Sequence, residues 1–300
     1  MRPNSPQAWL LAARPKTLTA TVVPVILSCA LAFADRQFQA KEAVLCLLFA
    51  CLMQVAANYI NDLFDFRKGS DRSDRLGPQR ACAEGWITPH AMTIGIGVVL
   101  ALACTCGLGV LYSVWGKLPY GGWELVLLGV LCLLFAFLYT TVLSYRGWGD
   151  VLVLVFFGFV PVGGTYYVQT GQVNGDVCLL SLVSGLVIDT LLMVNNYRDR
   201  EQDRISGKRT LVVRYGEHFG AGLYLGLGVA AVLLCTGLVG SGRLTWTEFV
   251  WAPCLYLYLH FLTWRHMVKI REGKGLNRIL GATSRNMLLM GLLLCAALLF

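Results

Sequence analysis

The sequence predicts an all-α, multi-pass membrane bundle of about nine transmembrane helices, forming a single domain over residues 1–300. Two observations carry this. Apolar residues make up 56% of the chain and charged residues 14%, against roughly 25% charged in an average soluble domain, and mean hydropathy is +0.62. The apolar residues are also gathered into nine runs, most of them near the roughly 20 residues that cross a bilayer. So little polar material cannot cover a soluble surface, and a chain this apolar is not disordered. The 11 cysteines are scattered through the apolar runs and do not form a disulfide scaffold. The net charge of +8 sits in the gaps between runs, as membrane orientation signals do, and no nucleic-acid recognition module is present.

The first run, Thr17–Ala34, has a basic start (Arg14, Lys16) and small residues near its end, as a secretory signal has. Pro24 interrupts it and no soluble domain follows, so it reads as a helix of the bundle. Ala43–Ile60 comes second and leads into the acidic stretch NYINDLFDFRKGSDRSD. Ala91–Val114, Leu125–Val142 and Val151–Val168 follow, and then Val177–Val194, which leads into NNYRDREQDRISGKRT. Ala221–Val239, Phe249–Trp264 and Met287–Phe300 complete the set, the last being short with an alternative start near Leu276. With the N-terminus inside, 21 of the 25 Lys and Arg residues fall in inside segments; only Arg36, Lys41, Lys117 and Arg243 fall outside. That asymmetry places the N-terminus and both acidic stretches on the cytoplasmic side.

The two acidic stretches echo each other. Each has Asn at the helix end, two Asp residues on one face, then Gly and basic residues; Asp62 and Asp199 are 137 residues apart, Gly69 and Gly207 138. This suggests a weak internal duplication of the units at 43–80 and 177–216. At about 100° per residue, Asn58, Asn61, Asp62 and Asp65 share a stripe, and so do Asn196, Asp199 and Asp203, with Asp189 deeper on the same face. Neighbouring carboxylates repel, and a divalent cation relieves the repulsion. Oxygen donors without nearby Cys or His point to Mg²⁺, which takes one or two carboxylates and completes its shell with waters and substrate phosphates. Lys68, Arg72, Arg80, Arg198, Lys208 and Arg209 supply phosphate contacts in the same stretches. The pattern reads as a diphosphate clamp. A solvated loop of mixed charge explains one such stretch equally well, but explains two with the same order of residue types less well.

On these motifs the chain resembles the UbiA superfamily of intramembrane aromatic prenyltransferases, the first stretch being similar to its NDxxD motif and the second to its DxxxD motif. The words ARPKTL, NDLFDFRKGSD, GPQR, LYT, GTYYVQTG and NNYRDREQDRISGKRTLVVRYG, over residues 13–216, are similar to its 1,4-dihydroxy-2-naphthoate polyprenyltransferase (MenA) branch. The resemblance implies a UbiA-like bundle in the bacterial inner membrane. It implies transfer of a polyprenyl chain from polyprenyl diphosphate to 1,4-dihydroxy-2-naphthoate with loss of CO₂, giving demethylmenaquinol. It also implies two Mg²⁺ ions, held by Asp62 and Asp65 and by Asp199 and Asp203, with Asn61 and Asn196 as further metal contacts.

Asn58, Tyr139, Arg14 and Lys16 are candidates for substrate binding. Tyr139, Tyr166 and Tyr167 are candidates to line the cavity and flank a carbocation, although Tyr at a helix end is also a common interface anchor. Arg14 and Lys16 read equally well as orientation signals. Three positions depart from the superfamily's pattern. Gly69 stands where a third acid is expected, with Asp71 two residues on; Asp150 stands where Glu is expected; and Asp189 replaces an apolar residue. An acid at the last position costs about 2.5–3.5 kcal/mol if it faces lipid, so it is expected to face the interior, either supporting a ligand or hydrogen-bonded and neutral. Other aromatic acceptors, 4-hydroxybenzoate or homogentisate, are the alternative within this chemistry. An ion transporter built on repeated units is the alternative outside it, although transporter sites lie near the midplane and these acids cluster at one face.

Overall fold

The computed structural model describes residues 2–69 and 75–300. Asp71 and Arg72, the candidate third acid and a candidate phosphate contact, lie outside the described residues. All nine apolar runs form helices. A short leading helix, α1 (Pro6–Ala13), precedes α2 (Thr19–Ala34), α3 (Ala40–Arg67), α4 (Pro89–Val114), α5 (Trp123–Arg146) and α6 (Gly149–Thr170). Then come α7 (Gly175–Ile205), α8 (Leu211–Gly240), α9 (residues 246–270) and α10 (Leu276–Leu299). Seven of these, α3–α8 and α10, are long and apolar enough to cross a membrane unaided, and α1–α2, bent by 51°, makes an eighth. The remaining helix, α9, is broken at Val250–Cys254 around Pro253, which cannot donate a backbone bond. Its unbroken part, Leu255–Ile270, has 16 residues and spans about 24 Å, short of a hydrocarbon core of about 30 Å.

Charged helix ends account for the boundaries that hydropathy misses. The second acidic stretch is still helical, so α7 continues to Ile205 and carries Asp199 and Asp203 on its last turns. Helix α8 begins at Leu211, with a break at Gly216, because its first turns carry Arg214, Glu217 and His218. Helix α10 takes the earlier of its two expected starts, Leu276. Both acidic helices stop in the same way, at a glycine in the left-handed region: Gly69 at φ 66° and Gly207 at φ 76°. A side chain disfavours that conformation, so glycine is the residue that lets the chain turn away there.

Helix α7 is the axis of the bundle. Its apolar window is 67% buried, against 11% for α5, which faces outward. It packs on α6, α8, α10 and α2, and the largest buried cluster joins Leu27, Leu31, Val162, Leu180, Val183, Ala231, Met290 and Leu294 from those helices. The α6–α7 approach is close enough that a Cβ on Gly158 would stand 2.4 Å from the Ser181 carbonyl oxygen. Wide π-type turns interrupt α5 at Tyr139–Leu143 and α6 at Leu154–Gly163. Such turns leave carbonyls without their usual partners and recur at functional sites.

At the end of the bundle away from the aspartates, one side chain ties three connections together. Arg243, between α8 and α9, reaches Asp35 Oδ1 at 2.5 Å and Asp176 Oδ2 at 2.7 Å. Tyr166 Oη donates to Asp35 Oδ2 at 2.5 Å and accepts from Asn174. Tyr167 Oη donates to Glu124 Oε1 at 2.6 Å. Both tyrosines considered above as cavity residues are therefore engaged at this opposite end, where their hydroxyls brace loops.

Candidate active site

Helix α3 and helix α7 end side by side. The ammonium of Lys68, just past α3, lies 4.0 Å from the centroid of the Tyr145 ring, and that of Lys208, just past α7, lies 5.3 Å from the same ring. Lys68 Nζ also donates to the Thr141 carbonyl at 2.9 Å and the Thr140 carbonyl at 3.4 Å, both in the π turn of α5. Lys208 is mostly enclosed. Burial works against its charge, yet Asp65 of α3 and Asp203 of α7 outweigh burial and hold its pKa above the ordinary lysine value. Acids from distant parts of the chain thus act on one cation.

Each carboxylate has a partner of its own. Asp65 Oδ2 accepts from Arg80 Nη2 at 3.0 Å, and both side chains are 8% exposed. Asp199 accepts a two-pronged contact from Arg198, at 2.7 Å on each oxygen. Asp203 Oδ1 lies 3.8 Å from Lys208 Nζ. Asp62 is engaged differently: it is 1% exposed, and its two oxygens accept the peptide N–H groups of Ala81 and Cys82, each at 2.9 Å. A carboxylate used in this way holds the turn at residues 81–85, next to Arg80, against α3.

The other expected residues divide in the same manner. Asn61 accepts a hydrogen bond from Thr140 Oγ1 and lies on the wall of the central cavity. Asn58 donates to the Ala13 carbonyl at 2.9 Å and to Thr17 Oγ1 at 3.1 Å, so it fixes the turn that holds Arg14 and Lys16. Lys16 lines the cavity mouth. Arg14 is the C-cap of α1, at φ 52°. Asn195 is a cavity residue, whereas Asn196 is buried and is not among the lining residues. Arg209 is exposed, and its peptide N–H bonds the Tyr145 carbonyl at 2.9 Å. Tyr139 lines the cavity, while Asp150 and the buried Asp189 are not among the lining residues.

Tyr145 and Asn277 belong to this group and were not expected. Asn277, at the start of α10, accepts from Arg198 Nη1 at 2.8 Å and donates to the Leu76 carbonyl at 2.9 Å. It thereby joins α7, α10 and the segment after the first acidic stretch.

The cavity has a volume of about 1260 Å³ and runs between α2–α7 and α10. Of its polar wall residues, Asn61 and Asn195 come from the two helices that carry the aspartates, Lys16 from the turn between α1 and α2, and Asn277 from the start of α10. Its body is lined by Phe49, Leu108, Leu128, Leu133, Phe156 and Val160, among others. Among the described residues no three carboxylate, imidazole or thiol groups form a metal cage by themselves. The donor set present, carboxylates and amides alone, still suits Mg²⁺, which needs few protein ligands when a phosphate supplies the rest.

A bundle of membrane-length helices around a large apolar cavity, with acids and bases paired where two of those helices end, defines an integral membrane protein with room for a lipid-sized ligand. The UbiA prenyltransferase family model matches residues 21–299, and the chain belongs to that family. The 1,4-dihydroxy-2-naphthoate octaprenyltransferase of Haemophilus influenzae is 35% identical over 258 residues, covering 83% of this chain and 82% of that one. The protein of the same name from Escherichia coli is 38% identical over 215 residues, covering 70% and 69%. A solved UbiA homologue from Archaeoglobus fulgidus, bound to GPP and Mg²⁺, shares the fold with a TM-score of 0.67 at 14% identity, covering 97% of this chain and 99% of that one. The protein is an integral membrane prenyltransferase.

Proposed function

We propose that the chain transfers a polyprenyl group from polyprenyl diphosphate to 1,4-dihydroxy-2-naphthoate with loss of CO₂, giving demethylmenaquinol. The observation that carries this reading is the meeting of Lys68 and Lys208 over Tyr145, in the field of Asp65 and Asp203, with Lys68 bonded to the carbonyl of Thr140, whose hydroxyl in turn bonds the cavity residue Asn61. The naphthoate acceptor is supported by the names of the two bacterial relatives.

In this reading Lys68, Lys208, Arg80 and Arg198 face the diphosphate. Asp65, Asp199, Asp203 and Asn61 would hold Mg²⁺, while Asp62 fixes the turn beside Arg80. Bound Mg²⁺ supplies Lewis-acid stabilisation of the negative charge that builds on the departing diphosphate. The prenyl tail lies in the cavity, whose apolar wall excludes water from the allylic carbon as its bond to oxygen lengthens. The electron pair of that C–O bond leaves with the diphosphate. The acceptor ring carbon bonds to prenyl C1, and the pair from its bond to the carboxylate returns to the ring as CO₂ departs. The acidic end faces the cytoplasm, on the side where 21 of 25 basic residues lie.

The test is product mass spectrometry. Purified protein in nanodiscs is given geranylgeranyl diphosphate with 1,4-dihydroxy-2-naphthoate, 4-hydroxybenzoate and homogentisate in competition. A decarboxylated prenyl naphthoquinol that forms with Mg²⁺ and is lost with chelator is the expected product. Prenylation of only another acceptor, or turnover unaffected by chelator, refutes the reading.

A further inference from the structure

One polar side chain on the cavity wall has no part in the clamp. Gln54 stands near the middle of α3, about two turns before Asn61, hence about 10 Å further from the aspartate end. It lines the cavity, as do Thr17 in the turn before α2 and Thr21 in α2. The hydrogen bonds around it fix which way its amide points. Asn58, one turn further along α3, donates to the Ala13 carbonyl at 2.9 Å and to Thr17 Oγ1 at 3.1 Å. A carbonyl only accepts, so the Asn58 nitrogen is the atom on that side and its oxygen faces Gln54. Gln54 therefore presents Nε2 to Asn58 Oδ1, at 3.4 Å, and keeps Oε1 for the Thr21 hydroxyl, also at 3.4 Å. An amide side chain has two N–H donors and two lone pairs. One of each is left over on Gln54 among the described residues. Both bonds it does make are long, so they offset little of the cost of taking an amide out of water. An apolar side chain of similar shape packs α2 against α3 as well or better. What an apolar side chain lacks is the spare donor and acceptor that Gln54 holds at the cavity wall.

We propose that Gln54 binds the 4-hydroxyl of the aromatic acceptor and thereby selects a dihydroxylated ring over one that lacks this group. The proposal rests on the prenyl-transfer reading above and names a specificity residue within it. The reacting carbon and its carboxylate belong near Asn61 and Lys16, both on the cavity wall, where the diphosphate departs. The hydroxyl on the far side of the ring is then the group that reaches inward, towards Gln54. A hydroxyl donates once and accepts, which matches the one lone pair and the one N–H that Gln54 has over. Asn58 and Thr21 keep the amide from turning, so they are positioning residues that act through Gln54. An acceptor without the hydroxyl leaves both spare groups facing an apolar ring edge, and a site built to bond a hydroxyl rejects the analogue that lacks it. A prenyl chain offers neither donor nor acceptor, so the tail belongs against the apolar wall residues, such as Leu108, Leu133 and Phe156.

The test measures binding, with no turnover, on the full chain in nanodiscs. Mg²⁺ and the unreactive thiolo analogue of geranylgeranyl diphosphate are present, and air is excluded. The two probes are 1,4-dihydroxy-2-naphthoate and 1-hydroxy-2-naphthoate, which differ only in the hydroxyl assigned to Gln54. Wild type binds the dihydroxy acid about tenfold more tightly, the worth of one hydrogen bond. In Gln54→Met, of similar length and without donor or acceptor, that ratio falls to about one. Thr21→Val leaves Gln54 in place but frees its amide to turn, and gives an intermediate ratio. A role confined to bracing α2 against α3 weakens both acids alike and leaves the ratio at its wild-type value. Wild type binding both acids equally overturns the proposal, and that comparison needs no variant to fold. A Gln54→Met protein that keeps the wild-type ratio overturns it too. Turnover of the same acids with geranylgeranyl diphosphate judges the functional reading separately: selective binding without a prenylated product refutes prenyl transfer to naphthoate and leaves the assignment of Gln54 standing.

Discussion

Replacing Asp62 with alanine tests whether its carboxylate holds the turn at residues 81–85 against α3. The carboxylate accepts two buried peptide N–H groups, Ala81 and Cys82, each at 2.9 Å. A hydrogen bond to a charged group contributes about 1.5–3 kcal/mol net, so losing both costs about 3 kcal/mol at the low end. At about 1.4 kcal/mol per factor of ten, the turn at residues 81–85 opens about a hundred times more often. Cys82 reports that opening directly, because its side chain is buried with the residue 3% exposed. Maleimide labelling, read peptide by peptide with exposed Cys178 as reference thiol, measures the open population when closing outruns labelling. The expected result is about a hundredfold faster labelling of Cys82 in Asp62→Ala, with Cys178 unchanged. Labelling of Cys82 at the wild-type rate would show that the carboxylate does not hold the turn.

Asp65→Asn keeps the same volume, loses the charge facing Arg80 and Lys208, and leaves the Asp62 bonds intact; Cys82 remains protected in the labelling assay, while turnover falls by at least about a hundredfold. Arg243→Ala breaks two partly exposed ion pairs at the opposite end. Such pairs are together worth about 1 kcal/mol, so thermal unfolding in detergent shifts down by about 2–4 °C, and turnover per folded molecule equals that of wild type.

The helices were legible because lipid imposes one rule on every span: about 20 apolar residues with the backbone satisfied internally. That rule is silent where helices leave the membrane, so the charged first turns of α8 and the acidic last turns of α7 escaped the hydropathy boundaries. The facing of the two acidic stretches was legible because Asn, Asp and Gly recur in the same order at helical spacing. What each aspartate touches was not legible. Asp62 and Asp65 share a helix face, yet one binds peptide N–H groups and the other Arg80; that difference is set by the return path of residues 75–87. Tyr145 and Asn277 were invisible for a related reason, since each matters only through partners far away in the chain. Asp189 was visible as an oddity, and the structure buries it, as an acid in the middle of a span requires.

The guanidinium of Arg243 gives the molecule a mechanical polarity. Three connections meet on it, so that end of the barrel of helices resists splaying. The tie sits at the end away from the aspartates, where parts of the chain far apart in sequence are fixed to one another by a single side chain.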